Sequence, residues 1–453
     1  MRFFSHRRFW VGAILRALIG RIPPGSKNFL AFKPAHRPTL SATKGKSVSE
    51  TAAYLESEEV QKRGPETGTL VTHLVGDAIR SGASDIHIEP WENSLCVRIR
   101  LNGVLRELIH LPLDYMEKIS GRFKVMANLV SYQTGLPQEG HAPADPDLGG
   151  VELRVSVFPT VRGEKIVVRI FDPTNRSFDI AQLGFETATL DAFLHIISRP
   201  NGLILLTGPT GSGKTTAIYA ALCHLIAKHG TTISIATVED PVEFNLPMVS
   251  QAQVNSAQNF TYPIALRSLM RQDPQVIMVG EIRDAETAAI AVQAGLTGHL
   301  VISTIHSGMA AGTFARLINM NIEPFLLASS ISGVLGLRLV RLNCPDCSAP
   351  YSPEPGLMAT LSEEVISAAK FTAGQGCEEC FDTGYVGRVA VTEMLTVNDV
   401  IREAILQKLP TGELADIAIG QGMQTLWQNG LRRVIKGETT LEEMARVVAI
   451  DQL

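Results

Sequence analysis

The chain has 453 residues, of which 45% are hydrophobic and 19% are charged, a balance typical of a folded globular protein with two or three domains. Its net charge of −4 disfavours a protein that grips a nucleic-acid backbone, because such binding is driven by a basic excess that releases counterions. No run of about 18 apolar residues occurs, so no transmembrane helix is predicted.

Residues 1–66 are predicted to be a basic leader and a flexible linker. The first ten residues are basic and aromatic, and the apolar stretch that follows is interrupted by Arg16. Three interpretations stay open for this leader: a basic amphipathic helix on a membrane surface or partner, a poorly ordered arm, or a secretory signal without a clear cleavage site. From about residue 21, Pro, Gly, Ser, Thr and Lys are frequent, which predicts the linker.

An α+β domain is predicted over residues 67–172. Asn102-Gly103 is expected to close a tight hairpin, because both residues readily adopt positive φ. The predicted elements are, in order, a helix from about residue 69, strands at 85–88 and 95–100, a helix at 114–129, a turn-rich segment at 138–150, and strands at 151–158 and 165–171.

A second, larger domain is predicted over residues 180–453, after a connector at 172–179. Its first part alternates helical patterns with short apolar, β-rich runs, which is typical of buried parallel strands. The predicted strands lie at 202–207, 232–238, 276–279 and 300–304.

A phosphate-binding loop is predicted where the strand at 202–207 ends. Glycines in such a loop let backbone amides curl around a β-phosphate, and the helix that follows, predicted to begin at about Thr216, adds the positive end of its dipole. Lys214 is expected to reach the phosphate oxygens, and the Thr215 hydroxyl is expected to bind Mg²⁺. The predicted nucleotide contacts are Gly208, Pro209, Thr210, Gly211, Ser212, Gly213, Lys214, Thr215 and Thr216.

Two acidic residues end apolar strands at the same predicted sheet edge. They are Glu239 and Glu281, and Gly280 stands where an Asp is usual. Because ligands of open α/β sheets bind at the carboxyl ends of strands, both carboxylates are expected near the phosphate loop. We assign Glu239 to orienting the attacking water and Glu281 to the metal side. The alternative for Glu239 is a turn cap before Pro241.

Two histidines flank the predicted strand at 300–304. His306 follows its carboxyl end and is predicted to sense the γ-phosphate, whereas the function of His299 is left open. A structural role is the alternative for both, because a histidine beside an apolar strand is more often a satisfied structural residue.

Four of the six cysteines form two Cys-x-x-Cys pairs, which predict a closed tetrahedral Zn²⁺ site. The separation between the pairs implies a small inserted helix at 362–369. A redox pair and chance clustering of the cysteines are the alternative interpretations. Cys96 and Cys223 are expected to be small buried hydrophobic residues. The predicted zinc ligands are Cys344, Cys347, Cys377 and Cys380.

With these residues in place, the chain resembles the secretion ATPase family of type II secretion and type IV pilus assembly, over about residues 67–453. The four cysteines favour its assembly or export branch, because members that retract pili generally lack them. Besides the phosphate loop, the resemblance rests on the motifs at 82–90, 152–156, 158–165, 239–243, 265–271, 279–284 and 297–306.

The resemblance implies an α/β chain with a RecA-like P-loop ATPase core, a preceding α+β, PAS-like domain, and a zinc-binding insertion at 344–380. It implies a cytoplasmic homohexamer, peripheral to the inner membrane, that uses ATP, Mg²⁺ and Zn²⁺. Its partners would be an inner-membrane platform protein and other components of the pilus or secretion machinery, with no direct nucleic-acid partner. Glu239 and Glu281 match the family's catalytic glutamate and its unusual Walker B glutamate.

The resemblance also implies a set of arginines at the nucleotide. Arg154 and Arg169 match arginines that the N-terminal domain supplies in trans, and Arg267 and Arg271 lie on a helix near the nucleotide. Such arginines stabilise charge on the transferred phosphoryl group. The alternative for each is a solvated or ion-paired residue.

The chain departs from the family pattern at four places. The family usually has Asp-Gly, Asp-Gly-Arg, Asp-Pro-Asp and His-Thr-Asn at these positions. His141 therefore stands where an arginine contact is expected. The departing segments are Asn102-Gly103, Glu139-Gly140-His141, Asp273-Pro274-Gln275 and His306-Ser307-Gly308.

The predicted function is that of an ATP-hydrolysing motor that powers assembly of type IV pili or of a type II secretion pseudopilus. One alternative is a translocation ATPase of DNA uptake or conjugation, which would need basic or aromatic residues along a pore. The other is a catalytically silent scaffold ring, against which the retention of Lys214, Thr215, Glu239 and Glu281 speaks.

Overall fold

The computed structural model describes residues 49–146, 150–171 and 178–448. The predicted leader and most of the predicted linker lie outside these residues, as does most of the connector. Among the described helices, none combines the length and the apolarity that crossing a membrane requires.

The described chain contains two large sheets and one small ribbon. The helices are α1 Glu50–Glu56, α2 Glu58–Arg63, α3 Thr67–Arg80, α4 Met116–Met126, α5 Thr187–Ile197, α6 Lys214–His229, α7 Tyr262–Leu269, α8 Ala285–Leu296, α9 Gly312–Asn319, α10 Pro324–Ser330, α11 Pro355–Met358, α12 Glu363–Ala368, α13 Asp399–Leu406, α14 Thr411–Gly420, α15 Leu426–Ile435 and α16 Leu441–Val447. The strands are β1 Asp85–Pro90, β2 Leu95–Leu101, β3 Val104–Leu111, β4 Gln138–Asp145, β5 Val151–Thr160, β6 Gly163–Phe171, β7 Gly202–Thr207, β8 Ile235–Glu239, β9 Val249–Gln253, β10 Val276–Val279, β11 Leu300–Ile305, β12 Ile331–Asn343, β13 Ser348–Pro350, β14 Thr372–Gly374 and β15 Tyr385–Thr396.

The first sheet is antiparallel and has the order β3-β2-β1-β6-β5-β4. Its apolar residues alternate along the strands and share one core with α3 and α4. The predicted hairpin is confirmed: Asn102 and Gly103 have φ values of 48° and 85° and connect β2 to β3.

Two expectations for this region are wrong. The predicted linker is helical from residue 50, because Asp77 accepts backbone hydrogen bonds from Glu50 and Thr51 and so fixes the start of α1. The segment at 138–150, expected to be turn-rich, contains the strand β4, which pairs with β5. Its polar side chains gave no alternating pattern, since β4 is an edge strand with little burial.

The second sheet has the order β15-β12-β7-β11-β10-β8-β9. The five pairings from β12 to β9 are parallel, and only β15 runs antiparallel to its neighbour. Every residue of β7, β8, β10 and β11 is buried, which explains their continuous apolar sequences. The carboxyl ends of these strands meet at one edge, where the phosphate loop begins.

Beyond β12, a small ribbon of β13 and β14 carries α11 and α12 in its connection. The helix predicted at 362–369 is confirmed as α12. The helices α15 and α16 share an apolar cluster with residues of β12 and β15.

Candidate active site

The phosphate loop connects the buried end of β7 to α6, as predicted, and the helix begins at Lys214, two residues earlier than expected. Gly208 admits no side chain, because a Cβ atom would lie 2.4 Å from the Leu337 carbonyl oxygen and 2.7 Å from Ser212 Oγ. Ser212 Oγ is itself buried without a hydrogen-bond partner among the described residues. A glycine-lined turn, an orphaned hydroxyl and a helix N-terminus together suit a phosphate group.

Lys214 lies over this loop. Its Nζ donates hydrogen bonds to the carbonyl oxygens of Gly208 and Pro209, each at 2.8 Å. Burial lowers the pKa of Lys214, while the charge of Glu281 raises it. The charges of Lys214 and of Glu281, the acid that follows β10, therefore interact.

Glu281 and His306 form a contact pair at the same sheet edge as the phosphate loop. Glu281 Oε2 lies 3.5 Å from His306 Nε2, and its other oxygen accepts a hydrogen bond from Arg283. The Glu281 side chain is only 17% exposed, whereas that of His306 is 47% exposed. The two residues follow the neighbouring strands β10 and β11 and therefore lie at one sheet edge. That Glu239 and Glu281 both act at the phosphate loop stays a prediction.

Glu239 ends β8, the strand next to β10, and is buried. Its carboxylate accepts hydrogen bonds from Tyr219, from Thr237 Oγ1 at 2.6 Å and from Gln251 Nε2 at 3.0 Å. Burial and the bond to Glu239 raise the pKa of Tyr219, so the phenol stays a donor. The structure thus holds Glu239 among three protein donors, while Glu281 contacts Arg283 and His306.

Two charged residues at this site were missed by sequence reasoning. Arg338 of β12 reaches the loop: its Nη2 donates to the Gly308 carbonyl at 2.6 Å, and its Nη1 would lie 3.2 Å from a Cβ at position 208. Glu393 of β15 is buried and accepts a hydrogen bond from the Ala310 amide at 2.5 Å. Each of them is a charged residue within a mostly apolar strand sequence, and this pattern could have identified both as candidates.

Thr207 connects the phosphate loop to the loop after His306. Its hydroxyl donates to the Ser307 carbonyl at 3.0 Å and accepts from the Ser307 amide at 2.9 Å. His299, at the other end of β11, lies 3.2 Å through Nδ1 from the Ala294 carbonyl at the end of α8, a structural contact.

The chain is similar in sequence to known proteins. A family model described as Type II/IV secretion system protein matches residues 61–446. The type IV pilus assembly ATPase PilB of Myxococcus xanthus is 43% identical over 389 residues, which cover 84% of this chain and 68% of that protein. The type II secretion system protein E of Aeromonas hydrophila is 42% identical over 383 residues, 84% of this chain and 75% of that protein. The chain belongs to the Type II/IV secretion system protein family.

Relatives in this secretion family carry the name ATPase, and with its phosphate loop the chain is an ATPase of the same family. The X-ray structure of the Legionella pneumophila ATPase DotB resembles it with a TM-score of 0.63 at 20% identity, over 83% of this chain and 95% of that chain. At that identity the likeness concerns the fold, and it confirms the predicted α/β fold class.

The arginines that the secretion-family resemblance singled out lie in two groups. Arg154 and Arg169 are cross-strand partners on β5 and β6. Arg169 Nε lies 3.1 Å from Asp85 Oδ1, and Arg154 Nη2 lies 3.8 Å from Glu139 Oε2. No contact joins either one to the phosphate loop of the same chain among the described residues.

The second group lies on and just after α7. Arg267 pairs with Glu286 of α8 at 2.6 Å, and Arg271 donates to the Arg267 carbonyl at 2.9 Å. Both are exposed.

The four predicted zinc ligands converge. The Sγ atoms of Cys344 and Cys377 are 3.7 Å apart, those of Cys347 and Cys380 3.8 Å, and those of Cys377 and Cys380 3.6 Å. A tetrahedral zinc site with Zn–S bonds of about 2.3 Å has S–S edges of about 3.8 Å. Backbone amides of the two turns donate to sulfur, among them Gly384 to Cys380 at 3.2 Å. The cluster is compatible with Zn²⁺.

Proposed function

We propose that this chain is the ATP-hydrolysing subunit of a homohexameric motor that powers assembly of type IV pili or of a type II secretion pseudopilus. The observation that carries the proposal is the phosphate loop with Lys214 lying over it, and the paired Glu281 and His306 after the neighbouring strands. The sequence identity to PilB and to protein E supports a function in pilus assembly or type II secretion. An inner-membrane platform protein would receive the motion, and the chain would work peripherally at that membrane.

The residues present fit ATP and Mg²⁺. We propose that the loop amides and Lys214 hold the β- and γ-phosphates, with the Thr215 hydroxyl and Glu281 on the metal side. Mg²⁺, when bound, would neutralise charge that develops on the phosphoryl oxygens. His306 would sense the γ-phosphate through its contact with Glu281.

Glu239 would orient the attacking water. Its three protein donors hold the carboxylate in one direction at the strand end, which is what positioning a nucleophile requires. Arg154 and Arg169 would act on the site of the neighbouring subunit, where guanidinium groups stabilise the transferred phosphoryl. Their ion pairs with Glu139 and Asp85 would then break or be shared.

The enzymatic part is tested by phosphate release from the purified chain and from a Lys214→Ala variant. We expect the variant to lose activity by a factor of about 100 or more, as is usual when one donor to a developing charge is removed. Lys228→Ala, near the other end of α6, serves as the control and should retain activity. Equal release by Lys214→Ala and the wild type would exclude this site as the catalytic one.

The process is tested separately, by isolating the chain from its native membrane. Recovery of a polytopic membrane protein with it, lost on expression of the chain alone, would support coupling to a platform. A chain that hydrolyses ATP but never associates with that membrane fraction would contradict the motor assignment while leaving the ATPase intact.

We also propose that the four cysteines bind Zn²⁺. A closed four-thiolate site has no open position, so its role would be structural. Chelation should then loosen the region around β13 and β14, where the ligands lie, and leave ATP binding largely unchanged. Unchanged hydrogen exchange in that region after metal removal would contradict this role.

A further inference from the structure

Three potential metal ligands converge at the edge of the first sheet, in the other half of the chain from the tetracysteine cluster. Cys96 lies on β2, and Glu107 and His110 lie on β3, the edge strand. One ligand atom from each, Sγ, a carboxylate oxygen and a ring nitrogen, falls within 4.8 Å of the other two. The sequence had suggested only a small buried hydrophobic residue for Cys96.

An irregularity in the strand pairing brings these residues to one face. Cys96 and His110 are direct partners across the two strands. Glu107 precedes His110 by three positions, and in a regular strand residues three apart point to opposite faces. The register shifts between Val97 and Arg98, so that Leu108 is the extra residue of a bulge. The bulge therefore turns Glu107 to the side of Cys96 and His110.

One distance matches that of a tetrahedral site, and a second is slightly longer. His110 Nε2 lies 4.0 Å from Cys96 Sγ and 3.4 Å from Glu107 Oε2. Usual zinc bond lengths to sulfur, nitrogen and oxygen give S–N and N–O edges of about 3.6 Å and about 3.4 Å. A shift of a few tenths of an ångström in the thiol would complete the first edge.

The surroundings of His110 also suit a ligand. Its other ring nitrogen, Nδ1, lies 2.9 Å from Ser94 Oγ, which can accept the Nδ1 proton and leave Nε2 with its lone pair. Histidines that bind metals are usually held in this way by a second partner. The Trp91 ring packs edge-on against the imidazole with the ring centres 5.5 Å apart, which limits rotation of the ring.

We propose that Cys96, Glu107 and His110 form a second divalent-metal site, selective for Zn²⁺, with its fourth position open to water. A thiolate, a carboxylate and a neutral imidazole balance the charge of a divalent ion, and this mixture of soft and borderline donors favours zinc over Mg²⁺ or Ca²⁺. The ion would fasten β3 to β2. Exposure of Glu107 and His110 provides the route of entry.

The test is zinc content per chain, measured by mass spectrometry on the full-length protein after zinc saturation and dialysis. We expect His110→Ala to hold one zinc ion fewer than the wild type, and His73→Ala, a histidine of α3 outside the cluster, to hold the same number as the wild type. Because the result is a difference, it does not depend on whether the tetracysteine cluster is loaded. Equal zinc in the wild type and His110→Ala overturns the proposal and leaves Cys96 as a buried apolar residue.

A second variant guards against disruption of the hairpin. Glu107 is exposed, so Glu107→Gln should leave the fold intact while weakening zinc binding at this site by at least about 10- to 100-fold, because loss of a residue that only supports a ligand already costs that much. Glu92→Gln, an exposed residue in the turn before β2, is its matched control. The same zinc affinity in Glu107→Gln and Glu92→Gln contradicts the proposal.

Trp91 supplies a local readout. Co²⁺ bound next to the indole should quench its fluorescence in a saturable way, and that phase should vanish in Trp91→Phe and in His110→Ala. Quenching that is identical in the wild type and His110→Ala counts against the site.

Discussion

At Gly280, a methyl group would lie 2.7 Å from the Tyr262 hydroxyl and 3.3 Å from the Val238 carbonyl oxygen. A side chain at the position usually held by an Asp in phosphate-loop enzymes would therefore require the Tyr262 hydroxyl to move. The acid at this strand end is Glu281, one residue further on. The space beside Gly280 is limited by Tyr262 of α7 and by the neighbouring strand β8.

We expect Gly280→Ala to destabilise the fold by about 1–3 kcal/mol, because overpacking forces neighbours to move. Tyr262→Phe in the same chain should recover part of the loss, since it removes the clashing oxygen. Thermal unfolding of the two single variants and the double variant measures the coupling. Additive losses would show that the hydroxyl is not the obstacle.

The Glu281→Gln variant should bind ATP with little change and hydrolyse it about 100-fold more slowly. The glutamine side chain lacks the negative charge that interacts with Lys214. Binding of a fluorescent ATP analogue and phosphate release separate the two effects. Glu323→Gln, exposed before α10, is the control. Normal turnover in Glu281→Gln would remove this residue from the mechanism.

At the scale of residues, the sequence was sufficient where chemistry is local. A few consecutive residues are enough to recognise the phosphate loop, the strand-end glutamates and the cysteine pairs. Arg338 and Glu393 were missed because they reach the site only through the pairing of β12 with β7 and β15. No short sequence pattern predicts that pairing. The partners of Glu239 were hidden for the same reason, since Gln251 belongs to the separate strand β9.

Among the elements, α16 is held to β12 by one carboxylate. Glu443 is fully buried and accepts hydrogen bonds from the Arg341 amide and guanidinium and from two nitrogens of Arg446. Burial alone would raise the pKa of Glu443, but the bonds from Arg446 and Arg341 outweigh it and lower the pKa below its ordinary value. The helix therefore depends on an ionised group inside the protein.

Glu443→Gln should lower the free energy of unfolding by about 3 kcal/mol at neutral pH, because the largely buried Arg341 loses its charged partner. A lowered pKa means that this contribution is present above the ordinary glutamate pKa of about 4.3 and disappears as the pH falls through the folded-state value. The difference in melting temperature between wild type and variant should thus shrink in acid. Glu413→Gln, exposed on α14, is the control, and a difference that is constant with pH would contradict the ion pair.

The elements themselves were predicted unevenly. Buried parallel strands such as β7 and β10 were found because an unbroken apolar run is hard to mistake. The edge strand β4 was missed because its polar sequence resembles a loop, and it is a strand only through pairing with β5. The helix α1 was taken for linker because its start is fixed by Asp77, a residue 27 positions later than Glu50.

For the whole molecule, Arg154 and Arg169 raise the question of which subunit they serve. On a single chain they contact Glu139 and Asp85, and in the part of the chain that the structure describes neither contacts the phosphate loop. Side-by-side guanidinium groups on one sheet face are well suited to a phosphate presented by a neighbour.

We expect Arg169→Ala to lower hydrolysis by about 100-fold or more, by loss of a guanidinium at the transition state. Mixing it with Lys214→Ala, also inactive, should restore activity, because some sites then combine an intact lysine with a neighbour's intact arginine. Arg106→Ala, exposed on β3, is the control and should be fully active alone. A mixture as inactive as its components would show that the arginine does not act across subunits.

The strand β12 is unusually long, with 13 residues, or about 40 Å at the usual rise per residue. Arg338, beside the phosphate loop, lies near its middle, and the first cysteine of the four follows directly after its end. One strand thus connects the phosphate loop to the sulfur cluster, although its pairing with β15 is irregular between Arg341 and Asn343, just before the cysteine. A spectroscopic label at that end would test whether β12 moves when a nucleotide binds, and an unchanged signal would show that the strand stays fixed.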